Sequence, residues 1–494
     1  MEKRYIIGLD EGTTSCRCVI YDTQTNKIVS SINKKFTQYF PKPGWVEHDA
    51  SEIWSKMLET IEQSIKKLNL SPKNTYGIGI TNQRESVVAW RKSTGEPIAR
   101  SIVWQCRRTA NFCGKIGIRD RAKIRNKTGL IVDPYFSASK IKWLLDNEPI
   151  CKELLEKDDL CIGTMDAFIV FKLTKGKSFV TDTTNASRTM LFNIDTLNYD
   201  EWLLNYFGIP EKILPKVVSS NKIVGEFETN VGSFPICGIM GDQQASLFGQ
   251  ACFDKGMAKS TYGTGCFILS NTGNTRINSK KMLSTIAWTI DNKTTYAMEG
   301  SVFNAGSAID WMVEGAGFIE DAKLTENYAK SINSNEGVYL VPAFTGMGAP
   351  YWNAYSTGIL TGITRGTTKA HIARAVLESM AYNVKDILEY MRKNKVNITE
   401  LRVDGGVTKN NFLMQFQSDI LNIPIHLPEN LEITVLGAIF MAGLGLGAYK
   451  SLKEIKDRVV ITKSYNPNMK DSDRNKYYRG WHKAVEKCLY KEKK

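Results

Sequence analysis

The sequence predicts an α/β protein built as two domains. Three observations carry that expectation. Short apolar, β-like runs alternate with stretches of helical periodicity along the whole chain. The 494 residues exceed the roughly 250–300 at which a single hydrophobic core stops growing. A strand, glycine turn, strand design also occurs twice, about half a chain apart.

The first copy is residues 5–22, "YIIGLDEGTTSCRCVIYD". An apolar run ends in Asp10, breaks at Gly12, Thr13, Thr14 and Ser15, and resumes as a second strand. A bare turn needs only glycine, asparagine or proline; this one adds three hydroxyls behind a carboxylate. Helical spacing follows at 50–67, and β-like runs at 78–81 and 87–90. A strand at 234–240 leads into Gly241 and Asp242. The second copy is 257–270, "MAKSTYGTGCFILS", turning at Gly263-Thr264-Gly265. Beyond it lie a β-like run at 338–342, a helix at 371–391 and a strand at 401–404. A glycine-punctuated helix at 434–446 and a lysine-rich helix at 475–494, expected to be a solvated face, complete the chain. The domains are expected at 1–250 and 251–494, joined near 245–258.

Composition narrows the function. The formal charge is +14, but lysine is spread along the chain, with no RNA-binding aromatic signature or zinc-finger spacing, so no nucleic-acid partner is expected. No apolar stretch reaches the ~20 residues needed to span a bilayer, so no membrane insertion is expected; 435–449 comes nearest. The N-terminus lacks an apolar signal region, and the ten cysteines form no C-x-x-C pair. Both features point to reduced thiols and a cytoplasmic protein. With only four histidines, a general base is expected to be a carboxylate.

The familiar phosphate-binding patterns fail. Gly176-Lys177-Ser178 would end a P-loop, but Phe171 stands where its first glycine belongs. Gly443, Gly445 and Gly447 have the wrong spacing for a dinucleotide fingerprint. What remains is the acidic hairpin. Thr13, Thr14 and Ser15 offer hydroxyls and Arg17 a fixed positive charge. Asp10 would repel a phosphate, so its sensible use is to hold Mg2+, which in turn neutralises phosphates; an ordinary Asx turn is the plainer alternative.

Other segments are ambiguous one by one. Asp242 in "MGDQQASLF" is either a carboxylate at a strand tip or a helix cap. Arg84 and Glu85 in "TNQRE" are either a donor–acceptor pair for neighbouring hydroxyls or a surface ion pair. Tyr135 after Pro134, and Trp104, suit a pocket or a core. Gly405-Gly406 in "RVDGGVTKNN" lets backbone approach a ligand, with Asn410 or Asn411 starting the next helix. The order of these segments is more telling than any one of them.

Taken in order, "LDEGTTSCR" (9–17), "YFPKPGWVEHD" (39–49), "TNQRE" (81–85), "VWQCRRT" (103–109), "DPYFSASKIKW" (133–143), "GTMDAF" (163–168), "GDQQASLFGQ" (241–250), "YGTGCF" (262–267) and "VDGGVTKNNFLMQFQSDIL" (403–421) resemble the FGGY carbohydrate kinases, of the actin/hexokinase/Hsp70 superfold. The resemblance runs nearly end to end. It implies two ribonuclease-H-like domains flanking a deep catalytic cleft. It also implies ATP-dependent phosphorylation, with "PKPGWVEHD" and "TNQRE" favouring glycerol as acceptor and glycerol 3-phosphate as product. By motif, Asp242 would be the general base. Arg84, Glu85, Tyr135, Asp242 and Gln243 would contact glycerol hydroxyls, and Trp104 and Phe267 would sandwich its carbons. Thr13, Thr14, Ser15, Arg17 and Thr264 would hold phosphates. Gly306, Asp310, Gly406 and Asn410 would lie at the nucleotide, and Asp10 and Asp242 at the metal. A homodimer is expected. The sequence departs from the family pattern at Glu11, where glutamine is usual, at Asp310 in place of a glutamine, and at Asn304 and Ser307. These bear on nucleotide affinity, not on reaction class.

Overall fold

The computed structural model describes residues 3–353 and 355–489. Two sheets form its frame. The first contains Tyr5–Glu11 (β1), Ser15–Asp22 (β2), Lys27–Lys35 (β3), Thr75–Asn82 (β4), Gly225–Thr229 (β5) and Gly232–Gly241 (β6), in spatial order β5-β6-β4-β1-β2-β3. β1, β2 and β3 form an antiparallel meander, while β4 runs parallel to β1 and β6 parallel to β4. The second contains Met257–Tyr262 (β7), Cys266–Gly273 (β8), Leu283–Ile290 (β9), Lys293–Val302 (β10), Glu400–Asp404 (β11), Ile425–Pro428 (β12) and Ile461–Tyr465 (β13), in order β9-β10-β8-β7-β11-β12-β13. Again the first strand pairs antiparallel with the second and parallel with a later one, β11. The same ribonuclease-H-like order therefore occurs twice. The echo of 5–22 in 257–270 is a shared place in that order: each is the first hairpin of its sheet.

β1 reads as a nearly unbroken apolar run because both of its faces are covered; Ile6, Ile7 and Leu9 are fully buried. One cover is helix Ala50–Leu68 (α1), started by Asp49, whose carboxylate accepts from the backbone N–H of Ser51 and Glu52. Helix Asp242–Gly249 (α2) leaves the tip of β6. Helix Lys369–Lys393 (α3) lines the second core, and Asn411–Leu421 (α4) follows β11.

The glycine-punctuated helix, Ile433–Gly445 (α5), is late in the chain yet packs on the first sheet and on α2. Its glycines explain the closeness. A Cβ on Gly437 would stand 1.8 Å from the Ala245 carbonyl oxygen, and one on Gly249 would stand 2.2 Å from that of Ile433. Backbone thus meets backbone between α5 and α2, and α5 braces the helix that carries Asp242.

The last helix spans Asp471–Cys488, starting earlier than 475; residues 490–494 of the expected helix lie outside the described residues. It is not simply a solvated face. Trp481 is fully buried, stacks on Tyr382, and donates from Nε1 to Asp386 Oδ2 at 2.7 Å. Lys483 and Lys487 occupy the outer side. All ten cysteines are buried and free of disulfides. Among the described residues no helix is long and apolar enough to cross a membrane.

Candidate active site

The first hairpin turn is closed by the Gly12 N–H donating to the Ser15 carbonyl at 3.0 Å. Thr14 is exposed, and Thr13 and Ser15 half-exposed. Trp104 donates from Nε1 to Thr13 Oγ1 at 3.1 Å, tying the turn to the next aromatic group. Asp10, at the tip of β1, stands beside Arg17 in the antiparallel register. The Arg17 guanidinium is ion-paired with Glu432, at the start of α5.

Burial raises the Asp10 carboxyl to about 6; Arg17 opposes the rise and Asp242 adds to it. Glu11 is fully buried, and its carboxyl is raised well above the usual range, first by burial and then by Asp10. Gln83 Nε2 donates to Glu11 Oε1 at 2.6 Å, whereas Oε2 has no hydrogen-bond partner. The corner thus sets two buried carboxyls side by side, with Arg17 next to the first. No cage of three or more His, Cys, Asp or Glu side chains exists among the described residues.

Asp242 is the first residue of α2; its N-cap is Gly241, so the carboxylate is not the helix cap. Oδ1 accepts from the Gln243 backbone N–H at 2.7 Å and faces Arg84 Nε at 3.1 Å. Oδ2 accepts from Gln243 Nε2 at 3.2 Å. The side chain stays 31% exposed, so it is held from behind and open in front.

Arg84 and Glu85 are buried, which excludes a surface ion pair. They belong to a quartet whose other members, Arg188 and Glu299, the sequence reading missed. Arg84 Nη1 and Nη2 donate to Glu299 Oε2 and Oε1 at 2.7 and 3.1 Å. Arg188 Nε donates to Glu85 Oε1 at 2.6 Å, and its Nη2 to Glu299 Oε1 at 3.0 Å. Burial alone would raise the Glu299 carboxyl, but Arg188 and Arg84 bring it down to about 2. Glu299 lies on β10, so the quartet crosses from the first sheet to the second. Glu85 adopts φ +62°, a left-handed backbone that a non-glycine residue adopts only where its surroundings impose it. The turn after β4 thus directs Arg84 and Glu85 to one side. A lone glutamate within the apolar strand "YAMEGSV" was the available signal for Glu299, since a charge there needs a partner.

Tyr135 and Trp104 meet edge-on, with ring centroids 5.7 Å apart, and the Tyr135 hydroxyl accepts from Arg84 Nη2 at 3.4 Å. Trp104 and Phe267 are also edge-on, at 6.4 Å and 81°. They form a corner rather than two parallel slabs, so a sandwich is the wrong picture. Phe267 follows the second hairpin turn, so this contact brings the two hairpins to opposite sides of one cleft.

On the far side, Thr264 is exposed at its turn. Gly306 packs on that turn, where a Cβ would stand 2.6 Å from the Gly263 carbonyl oxygen. Asn304 and Ser307, two of the departures from the family pattern, bond each other: Ser307 Oγ donates to Asn304 Oδ1 at 3.4 Å. Asp310 is exposed, one residue before a turn of π-helix. Of the paired glycines, Gly405 (φ +99°) is needed structurally, because a Cβ would meet the Tyr262 carbonyl at 2.1 Å. Gly406 faces open space and is the one a ligand could approach. Asn410 caps α4: its Oδ1 accepts from the Leu413 N–H at 3.0 Å and its Nδ2 donates to Thr325 Oγ1 at 3.2 Å. Each end of its amide makes one bond and keeps capacity for a second.

Two ribonuclease-H-like halves, each with a hydroxyl-bearing hairpin turn, give the fold of actin/hexokinase-like kinases. Residues 5–249 match the N-terminal and 258–446 the C-terminal domain of the FGGY family of carbohydrate kinases. The chain belongs to that family. It is 51% identical to a glycerol kinase of Clostridium botulinum (strain 657 / Type Ba4), over 99% of each chain. It is 48% identical to one of Bacillus subtilis (strain 168), over 98% of this chain and 99% of that one. The crystal structure of Plasmodium falciparum glycerol kinase with ADP superposes with a TM-score of 0.92 at 36% identity, covering 99% of both chains.

Proposed function

We propose that this chain transfers the γ-phosphoryl group of ATP to glycerol, giving glycerol 3-phosphate and ADP. The observation that carries this function is Asp242, pinned from behind by Arg84 and Gln243 and open toward the cleft between the two hairpins. An acceptor hydroxyl reaching Oδ2 gives up its proton there as its oxygen attacks the phosphorus. Phosphoryl transfer asks mainly for positioning and charge neutralisation. Arg84 donates to, and Glu85 accepts from, hydroxyls that carry no charge of their own; Tyr135 and Gln243 add polar contacts. The Trp104–Phe267 corner receives the carbon backbone. Thr13, Thr14, Ser15, Arg17 and Thr264 take the phosphates, and Gly306, Asp310, Gly406 and Asn410 border the nucleoside. Asp10 and Asp242 would hold Mg2+, which neutralises the phosphates when bound. A cytoplasmic setting, in keeping with ten unpaired thiols, and a homodimer complete the proposal.

The test is ADP release measured with and without glycerol, and then with a panel of other polyols and ketoses. Glycerol should give by far the highest kcat/KM. Release that ignores glycerol, or a ketose used faster, overturns the proposal.

Arg17 must leave Glu432 to reach a phosphate. Their side chains are 26% and 40% exposed, and exposed pairs are worth about 0–1 kcal/mol. Glu432→Gln should therefore lower the KM for ATP by up to about fivefold at low ionic strength. The effect should fade at ~0.5 M salt, where charges are screened. An ATP KM that does not move with this substitution argues that the pair does not compete with phosphate.

A further inference from the structure

Gln243 holds Oδ2 of Asp242, and something must hold Gln243. A side-chain amide has two ends of nearly equal shape and opposite polarity. With its N–H2 toward Asp242 it donates to the carboxylate. Flipped, it would set an oxygen against that carboxylate and repel it. Lys259, on β7 of the second sheet, touches the other end: its ammonium donates to Gln243 Oε1, and also to Thr261 Oγ1 at 2.8 Å. An ammonium has three donors and no acceptor. It therefore accepts only one orientation of the amide, the one that sends Nε2 to Asp242.

Lys259 is fully buried, and its ammonium is engaged by Gln243 and Thr261. A buried lysine in a β-strand is costly unless it is paired. Its charged neighbours are Asp404, Asp242, Arg84 and Glu299. Asp404 Oδ2 accepts from Ser246 Oγ, in α2, and from Gln250 Nε2, just after it, both at 3.0 Å. Among the described residues, the Lys259 ammonium bonds to Gln243 and Thr261.

We propose that Lys259 is a positioning residue for the phosphoryl transfer above, acting through the Gln243 amide to aim Asp242 Oδ2 into the cleft. It rests on Asp242 as the base. Lys259 comes from the second sheet, while Gln243 and Asp242 follow the first. The base is therefore in register only when the halves meet as they do here. A misplacement of about 1 Å can lower a rate by roughly 10²-fold.

The test is a double-mutant cycle on the full chain, with glycerol and ATP. Lys259→Met keeps the stem and removes the donor. It should lower kcat by roughly 10–100-fold with both KM values within about threefold, because Lys259 acts through Gln243. In a Gln243→Ala background the same substitution should cost no further activity. Lys259→Gln, which can still donate to Oε1, should retain more activity than Lys259→Met; if the Met variant fails to fold, the Gln variant takes its place in the cycle. A loss under threefold overturns the role, and so does an equal loss with and without Gln243. Asp242→Asn separates the two claims. If it keeps wild-type turnover, the proposed base is wrong. If it is nearly inactive while the cycle shows no coupling, only the role of Lys259 falls.

Discussion

Asp242→Asn should lower kcat for glycerol-dependent ADP release by roughly 10²–10⁴-fold, the range for a positioned general base. The substitution keeps the shape of the side chain. Its amide oxygen can still accept from the Gln243 N–H and Arg84 Nε, which now hold Oδ1 at 2.7 and 3.1 Å. What changes is the other atom. An N–H2 group replaces Oδ2, cannot take a proton from the acceptor hydroxyl, and faces Gln243 Nε2 donor to donor. The fold should be almost untouched, because Arg84 keeps both bonds to Glu299. Steady-state kinetics and thermal unfolding together check this. Turnover within a few fold of wild type would exclude Asp242 as the base. A lower Tm with proportionate loss of activity would point to a folding effect.

Arg84→Ala should act on stability and on substrate binding at once. Removing it leaves Glu299 and Glu85, both essentially unexposed, to share the single guanidinium of Arg188. Breaking a buried ionic group by deleting one partner costs about 3–5 kcal/mol, because the remaining charge stays desolvated. The urea midpoint should fall accordingly, and kcat/KM for glycerol by roughly 10²-fold or more, since Asp242 loses the donor to Oδ1 as well. Arg84→Lys should rescue neither effect well. A lysine offers one point of charge, whereas Glu299 is gripped by two nitrogens at 2.7 and 3.1 Å while a third faces Asp242. An unchanged midpoint in Arg84→Ala would mean that the quartet does not hold the halves together.

Much of this was legible in the residues. The two hairpins announced themselves because a strand that must be buried on both faces is apolar throughout, and a turn that must expose backbone is rich in glycine and hydroxyls. Arg84, Glu85 and Asp242 stood out as charges placed where apolar strands end. Legibility stopped where function depends on pairing across the chain. Glu299, Arg188 and Lys259 were missed because partners such as Arg84 for Glu299, Glu85 for Arg188 and Gln243 for Lys259 lie 215, 103 and 16 residues away. Arg17 was expected at a phosphate, yet it meets Glu432, 415 residues further on. The corner formed by Trp104 and Phe267 depends on ring orientation, which no spacing encodes.

The sequence by itself determined the twofold α/β architecture and the family. Those follow from local periodicity and residue type, which act over a few neighbours. Only the tertiary structure decided how the carboxylate at 242 is aimed and what restrains the charges around it. Those depend on hydrogen bonds and ion pairs a few ångströms long between strands of different sheets, and such distances exist only once the chain has folded.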